Sequence, residues 1–98
     1  MLGGCVHQMA GEAVPTTKNH YQPTNPDQVM VYHKADMPRH YKVIGHVSAE
    51  NHTMLGMKLT EDRIMWQLKK EAASLGANGI KHVKTEEHKT KAEAIIVK

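Results

Sequence analysis

One stretch of the chain has helical periodicity, and it lies between two clear stop signals. Thr60 is a good N-cap, Glu61 and Asp62 put carboxylates at the positive end of a helix, and Gly76 follows Leu75 where a left-handed residue can end one. Between them Ile64, Met65, Leu68, Ala72 and Leu75 recur on one face, with Lys69, Lys70 and Glu71 mostly outside it. The spacing predicts a helix over 61–75. One amphipathic helix cannot bury its stripe against itself, so the rest of the chain must supply an apolar surface.

That surface reads as a sheet. Tyr41 to Ala49 alternates, with Tyr41, Val43, Gly45, Val47 and Ala49 on one side, Lys42, His46 and Ser48 on the other, and Ile44 as the exception. Gln28 to His33 is a strand with apolar residues on both faces, ended by the connection that contains Pro38. Glu50 to Lys58 lacks a period and reads as a loop. Beyond the helix, Ile80 to Lys84 forms a third strand, Thr85 to Lys91 a charged hairpin loop, and Ala92 to Lys98 a last strand rich in β-formers. The order β-β-α-β-β predicts an α+β domain over 28–98. Its four-stranded, largely antiparallel sheet carries the helix on one face.

The 98 residues leave room for one such domain, and no apolar run approaches the roughly 20 residues of a membrane-spanning helix. Residues 6–27 contain Pro15, Pro23 and Pro26 among many Thr, Asn and Gln, with no apolar period, and read as a flexible tether. A single cysteine excludes an internal disulfide.

The position of that cysteine is informative. Met1-Leu2-Gly3-Gly4-Cys5 resembles the end of a bacterial lipobox, which implies acylation of the Cys5 thiol. By the same resemblance Val6, in place of an aspartate, implies delivery to the outer membrane, with the protein lipid-anchored on its periplasmic face. In the domain, Tyr41-Lys42-Val43-Ile44-Gly45-His46-Val47 and Glu71-Ala72-Ala73-Ser74-Leu75-Gly76-Ala77-Asn78-Gly79-Ile80 resemble YbjQ-like domains and small envelope lipoproteins. The plan of cysteine, tether and compact domain is similar to that of the Rcs stress-sensing lipoprotein, whose stapling disulfides have no counterpart here. The resemblance implies a non-catalytic interaction module, an accessory part of an envelope complex or stress-sensing system.

The residues themselves point the same way. The chain has no Gly-rich phosphate loop, Gly-x-Ser-x-Gly elbow or His-Glu-x-x-His, and Glu86, Glu87 and Glu93 lie among lysines as a solvated charged face. No cofactor is implied. Interleaved charges and few aromatic residues argue against a nucleic-acid surface. The sheet face away from the helix needs a partner or solvent, and Met30, Tyr32, Ile44 and Trp66 are the apolar side chains least required by the helix-facing core. They are the candidate contacts to an envelope protein or to a second copy of the chain. The alternative is a soluble metal- or small-ligand-binding domain. Eight histidines favour it, with His33 and His46 placed to meet across paired strands and His82 to join them.

Overall fold

The structure is a computed structural model that describes residues 11–52 and 56–98. Five strands and one α-helix are present among them: β1 Gly11–Pro15, β2 Met30–Val31, β3 Tyr41–Glu50, α1 Glu61–Ser74, β4 Gly79–Thr85 and β5 Lys89–Val97. The sheet order is β1-β3-β5-β4-β2, antiparallel except for the parallel pairing of β2 with β4. The fold is α+β with one helix on one face, but the sheet is five-stranded and mixed where four largely antiparallel strands were predicted.

The helix forms as its end signals dictate. The Thr60 side chain accepts from the Arg63 N–H at 3.3 Å, and Gly76 adopts φ 90° just past the last turn. Leu68, Ala72 and Ala73 are buried, and they pack in one cluster with Val29, Ile44, Val47, Ile80, Ala92 and Ala94. Alanines on β5 let the helix approach the sheet closely. Gly45 serves the same end, because a Cβ there would lie 2.6 Å from Leu75 Cδ1 and 2.7 Å from the Val14 carbonyl oxygen.

The additional strand comes from the segment predicted as a tether. Gly11–Pro15 pairs antiparallel with β3, register Gly11 to Ala49 through Pro15 to Gly45. The chain then crosses the end of α1, where the Thr24 N–H donates to the Ala73 carbonyl at 2.8 Å and the Thr24 hydroxyl to the Ala77 carbonyl at 2.5 Å. These bonds tie the segment to the last turn of α1 and to the chain that leaves it. Tyr21 packs against the core cluster. From Gly11 onward the supposed tether is a strap, held by backbone pairing and caps that need no apolar period. The folded domain therefore includes residues 11–27, upstream of the boundary predicted at Gln28.

Two further boundaries shift. Pro26–Gln28 is a 3-10 turn, so the strand predicted over 28–33 is reduced to Met30–Val31. The predicted hairpin loop over 85–91 shrinks to Glu86, Glu87 and His88, because Lys89 and Lys91 alternate with buried Thr90 and Ala92 inside β5.

Candidate functional site

The face of the sheet opposite α1 is built by cross-strand register. Facing residues in adjacent strands share a side, so the pairings define rows across this open face. One row runs Val43, Ile95, Gly79, Met30; the next runs Val14, His46, Glu93, Lys81; the third runs Glu12, Ser48, Lys91, Lys84. The first is apolar, and the other two are ionic.

Two β-bulges create this pattern. In β3, Val43 opposes Ile95 while Gly45 opposes Ala94, leaving Ile44 as the extra residue. The bulge reverses the alternation, so Ile44 joins Gly45, Val47 and Ala49 on the helix side while Tyr41 and Val43 move to the open face. Ile44 is 1% exposed, within the core cluster. Its predicted role as a partner contact is thereby corrected: it is a core residue. In β4 the register shifts between Lys81 and Lys84, and His82 takes φ 54°. Left-handed backbone at a non-glycine residue is strained, and here it directs the imidazole toward Glu93.

Glu93 is the focus of the ionic rows. Its Oε1 lies 3.1 Å from Lys81 Nζ and 3.1 Å from His82 Nδ1. Lys81 Nζ also donates to the Tyr41 hydroxyl at 3.1 Å and lies 4.8 Å from the centre of that ring. Tyr41 is on β3 and Lys81 on β4, so the two side chains meet above the intervening β5. Ile95 on that strand is fully buried, and a Cβ on Gly79 would fall 2.7 Å from the Tyr32 ring and 3.2 Å from Ile95 Cγ1. Tyr32 and Ile95 thus pack over Gly79 on the open face, while the exposed Tyr41 ring rests beside the Lys81 ammonium.

Electrostatics there are self-contained. Partial burial works against the Glu93 charge, but the hydrogen bond and charge of Lys81, with those of His82, outweigh it and hold the carboxyl below its usual value. Desolvation likewise opposes the Lys81 charge, and its bonds to Tyr41 and Glu93 overcome it, raising the ammonium above the ordinary lysine value. Beyond this pair the face opens into a shallow trough of about 540 Å³, bordered by Val14, His46, Ser48, His82, Lys84 and Lys91 among others.

The other predicted site residues scatter. Cys5 and the lipobox residues 1–5 lie outside the described residues. Met30 is 58% exposed at the β2 edge and shares the open face with Tyr32. Trp66 is 46% exposed and stands on α1, in the other layer. His33 precedes the 3-10 turn Lys34–Asp36, where its N–H donates to Asp36 Oδ1 at 2.8 Å. It follows β2, which β4 and β5 separate from β3, so the predicted meeting of His33 with His46 does not occur. His46 and His82 do reach the same trough, on either side of Glu93. Among the described residues no three His, Cys, Asp or Glu side chains gather where they could hold a metal ion.

Lys81, Glu93 and Tyr41 were not picked out as a group by sequence reasoning. The alternation of Lys89, Lys91 and Glu93 with Thr90, Ala92 and Ala94 is the signal that places Glu93 on a sheet face.

Among the described residues neither edge of the sheet is a good template for another strand. The Thr16 N–H donates to the Ile44 carbonyl, so even-numbered residues of β1 point their donors inward and Pro15 occupies an outward position with no N–H to offer. The opposite edge, β2, is two residues long.

No family model matches the chain, and no curated protein matches it in sequence. Among solved structures it is similar to the crystal structure of the Francisella virulence factor FvfA, with a TM-score of 0.58 and 22% identity over 91% of this chain and 97% of that one. At that identity the likeness speaks for the fold.

Proposed function

We propose that this chain is a non-catalytic, lipid-anchored module of the bacterial outer membrane that binds an envelope protein through the open face of its sheet. The observation that carries the reading is that face itself. Among the described residues no helix covers it; it presents exposed Met30 and half-buried Tyr32 beside two rows of charged and polar side chains, and the described edges on either side are unsuited to strand addition. Exposed apolar contacts next to a polar rim are the anatomy of a protein interface. The non-catalytic part of the reading is supported by Glu93, whose lowered pKa and engaged oxygen make it a poor general base at neutral pH. The anchor rests on the resemblance of Met1 to Cys5 to a lipobox.

Fractionation and partner recovery test the two halves separately. The native protein is expected in the outer-membrane fraction with an acyl mass on Cys5, and Cys5→Ser is expected to release it; an unmodified thiol in a cytosolic protein contradicts the anchor. Partner recovery after crosslinking in cells is expected to fall at least about tenfold in Lys84→Glu/Lys91→Glu, where two charges on the open face are reversed. Recovery unchanged in that variant contradicts the docking surface.

A further inference from the structure

Trp66 is the single tryptophan of the chain and lies on the solvent-facing pole of α1, roughly 160° around the helix from the buried Leu68. It stands outside the core cluster, which takes Leu68, Ala72 and Ala73 from the helix. Its neighbours on the helix surface are Arg63 three residues before, Lys69 and Lys70 three and four after, and Asp62 four before. An amphipathic indole ringed by three cations and one anion combines the two features that hold a helix at a bilayer interface: a ring suited to headgroup depth and basic charge for anionic lipid.

We infer that this pole of α1 is a contact surface for an anionic lipid bilayer, with Trp66 inserted among the headgroups and Arg63, Lys69 and Lys70 on the lipid phosphates. The inference is independent of the open face and of lipidation at Cys5, because it rests on α1 alone. The two surfaces lie on opposite layers of the fold, so the domain would rest on the membrane by its helix and present the sheet outward. Trp66 is thereby reassigned from the protein contacts of the open face to a lipid contact.

The unlipidated 98-residue chain allows a direct test, since Trp66 is its only indole. Vesicles of phosphatidylcholine with phosphatidylglycerol are expected to shift its emission to the blue and to sediment the protein. Pure phosphatidylcholine is expected to do neither, and added salt to reverse the binding. Arg63→Gln/Lys70→Gln should weaken partitioning by about ten- to thirty-fold. Trp66→Ala should weaken sedimentation while the far-ultraviolet circular dichroism stays native. An unchanged emission spectrum with anionic vesicles overturns the inference, as does equal binding to neutral ones. A blue shift produced by a purified envelope protein but not by anionic vesicles would assign the surface to a protein instead and equally overturn it.

Discussion

On the helix-covered face, Ile80, Ala92 and Ala94 meet Leu68 and Ala72 in a dry cluster, while on the other face the same strands present Lys81, Lys91 and Glu93. The backbone is shared, yet the two sides are stabilised by different terms. Non-directional apolar burial dominates one. On the other, a few directional contacts join Tyr41, Lys81 and Glu93 beside the packing of Tyr32 and Ile95 over Gly79 and leave the rest of the surface solvated. The difference teaches that the open face tolerates substitution to the degree that it is freed from the work of folding, and a surface so freed can be shaped for recognition.

The largest effect is expected from the strap that binds both layers together. A chain beginning at Gln28 loses β1 and the Thr24 bonds to the helix terminus, and its melting temperature is expected to fall by about 15 °C or more. A loss of only a few degrees would return residues 11–27 to the status of a tether. Next comes a direct contrast of faces. Ile44→Ala should cost about 2–5 kcal/mol because it opens a cavity among buried side chains, whereas Met30→Ala should stay within about 0.5 kcal/mol. Comparable costs in denaturant titration would mean that the bulge at Ile44 does not divide the faces as described.

Smaller still is the ion pair. Removing the charge in Glu93→Gln should cost about 1 kcal/mol, read as a loss of roughly 4–8 °C in melting temperature, since Glu93 remains partly exposed. Its pH dependence has a definite sign. The lowered Glu93 value means that its contribution is complete above the ordinary carboxylate value of about 4.3 and is lost as pH falls through the folded value. The raised Lys81 value means that its contribution is complete below about 10.4 and is lost as pH rises through the folded value. The gap between parent and Glu93→Gln should therefore narrow as pH falls from about 4.3 toward 3. A gap that widens over that range would contradict the pairing.

How far the fold could be read in advance follows the same division. The helix was legible because its signals are local: Thr60, the stripe through Leu68 and Ala72, and Gly76 at φ 90°. The alternation of Tyr41 to Ala49 located β3, but a bulge is a relation between two strands, and nothing in the single segment says that Ile44 is the residue left unpaired. β1 was missed because edge pairing and capping use backbone groups, which every residue has, in a short strand whose only good β-former is Val14 and which ends on a proline. The parallel pairing of β2 with β4 joins residues far apart in the chain, and that pairing removed His33 from His46. The Lys81 and Glu93 pair is set by the register of β4 against β5, which neither segment carries alone, so its members looked like ordinary exposed charges.

The division between a face that folds and a face that binds is tested most directly by photo-crosslinking in intact cells from two positions, Ser48 on the open face and Ser74 at the end of α1. A photoreactive side chain at Ser48 is expected to give a discrete protein adduct that weakens when Lys84 and Lys91 are reversed in charge, while the same group at Ser74 is expected to give none. Equal adducts from both positions, or a discrete adduct from Ser74 alone, would contradict the account.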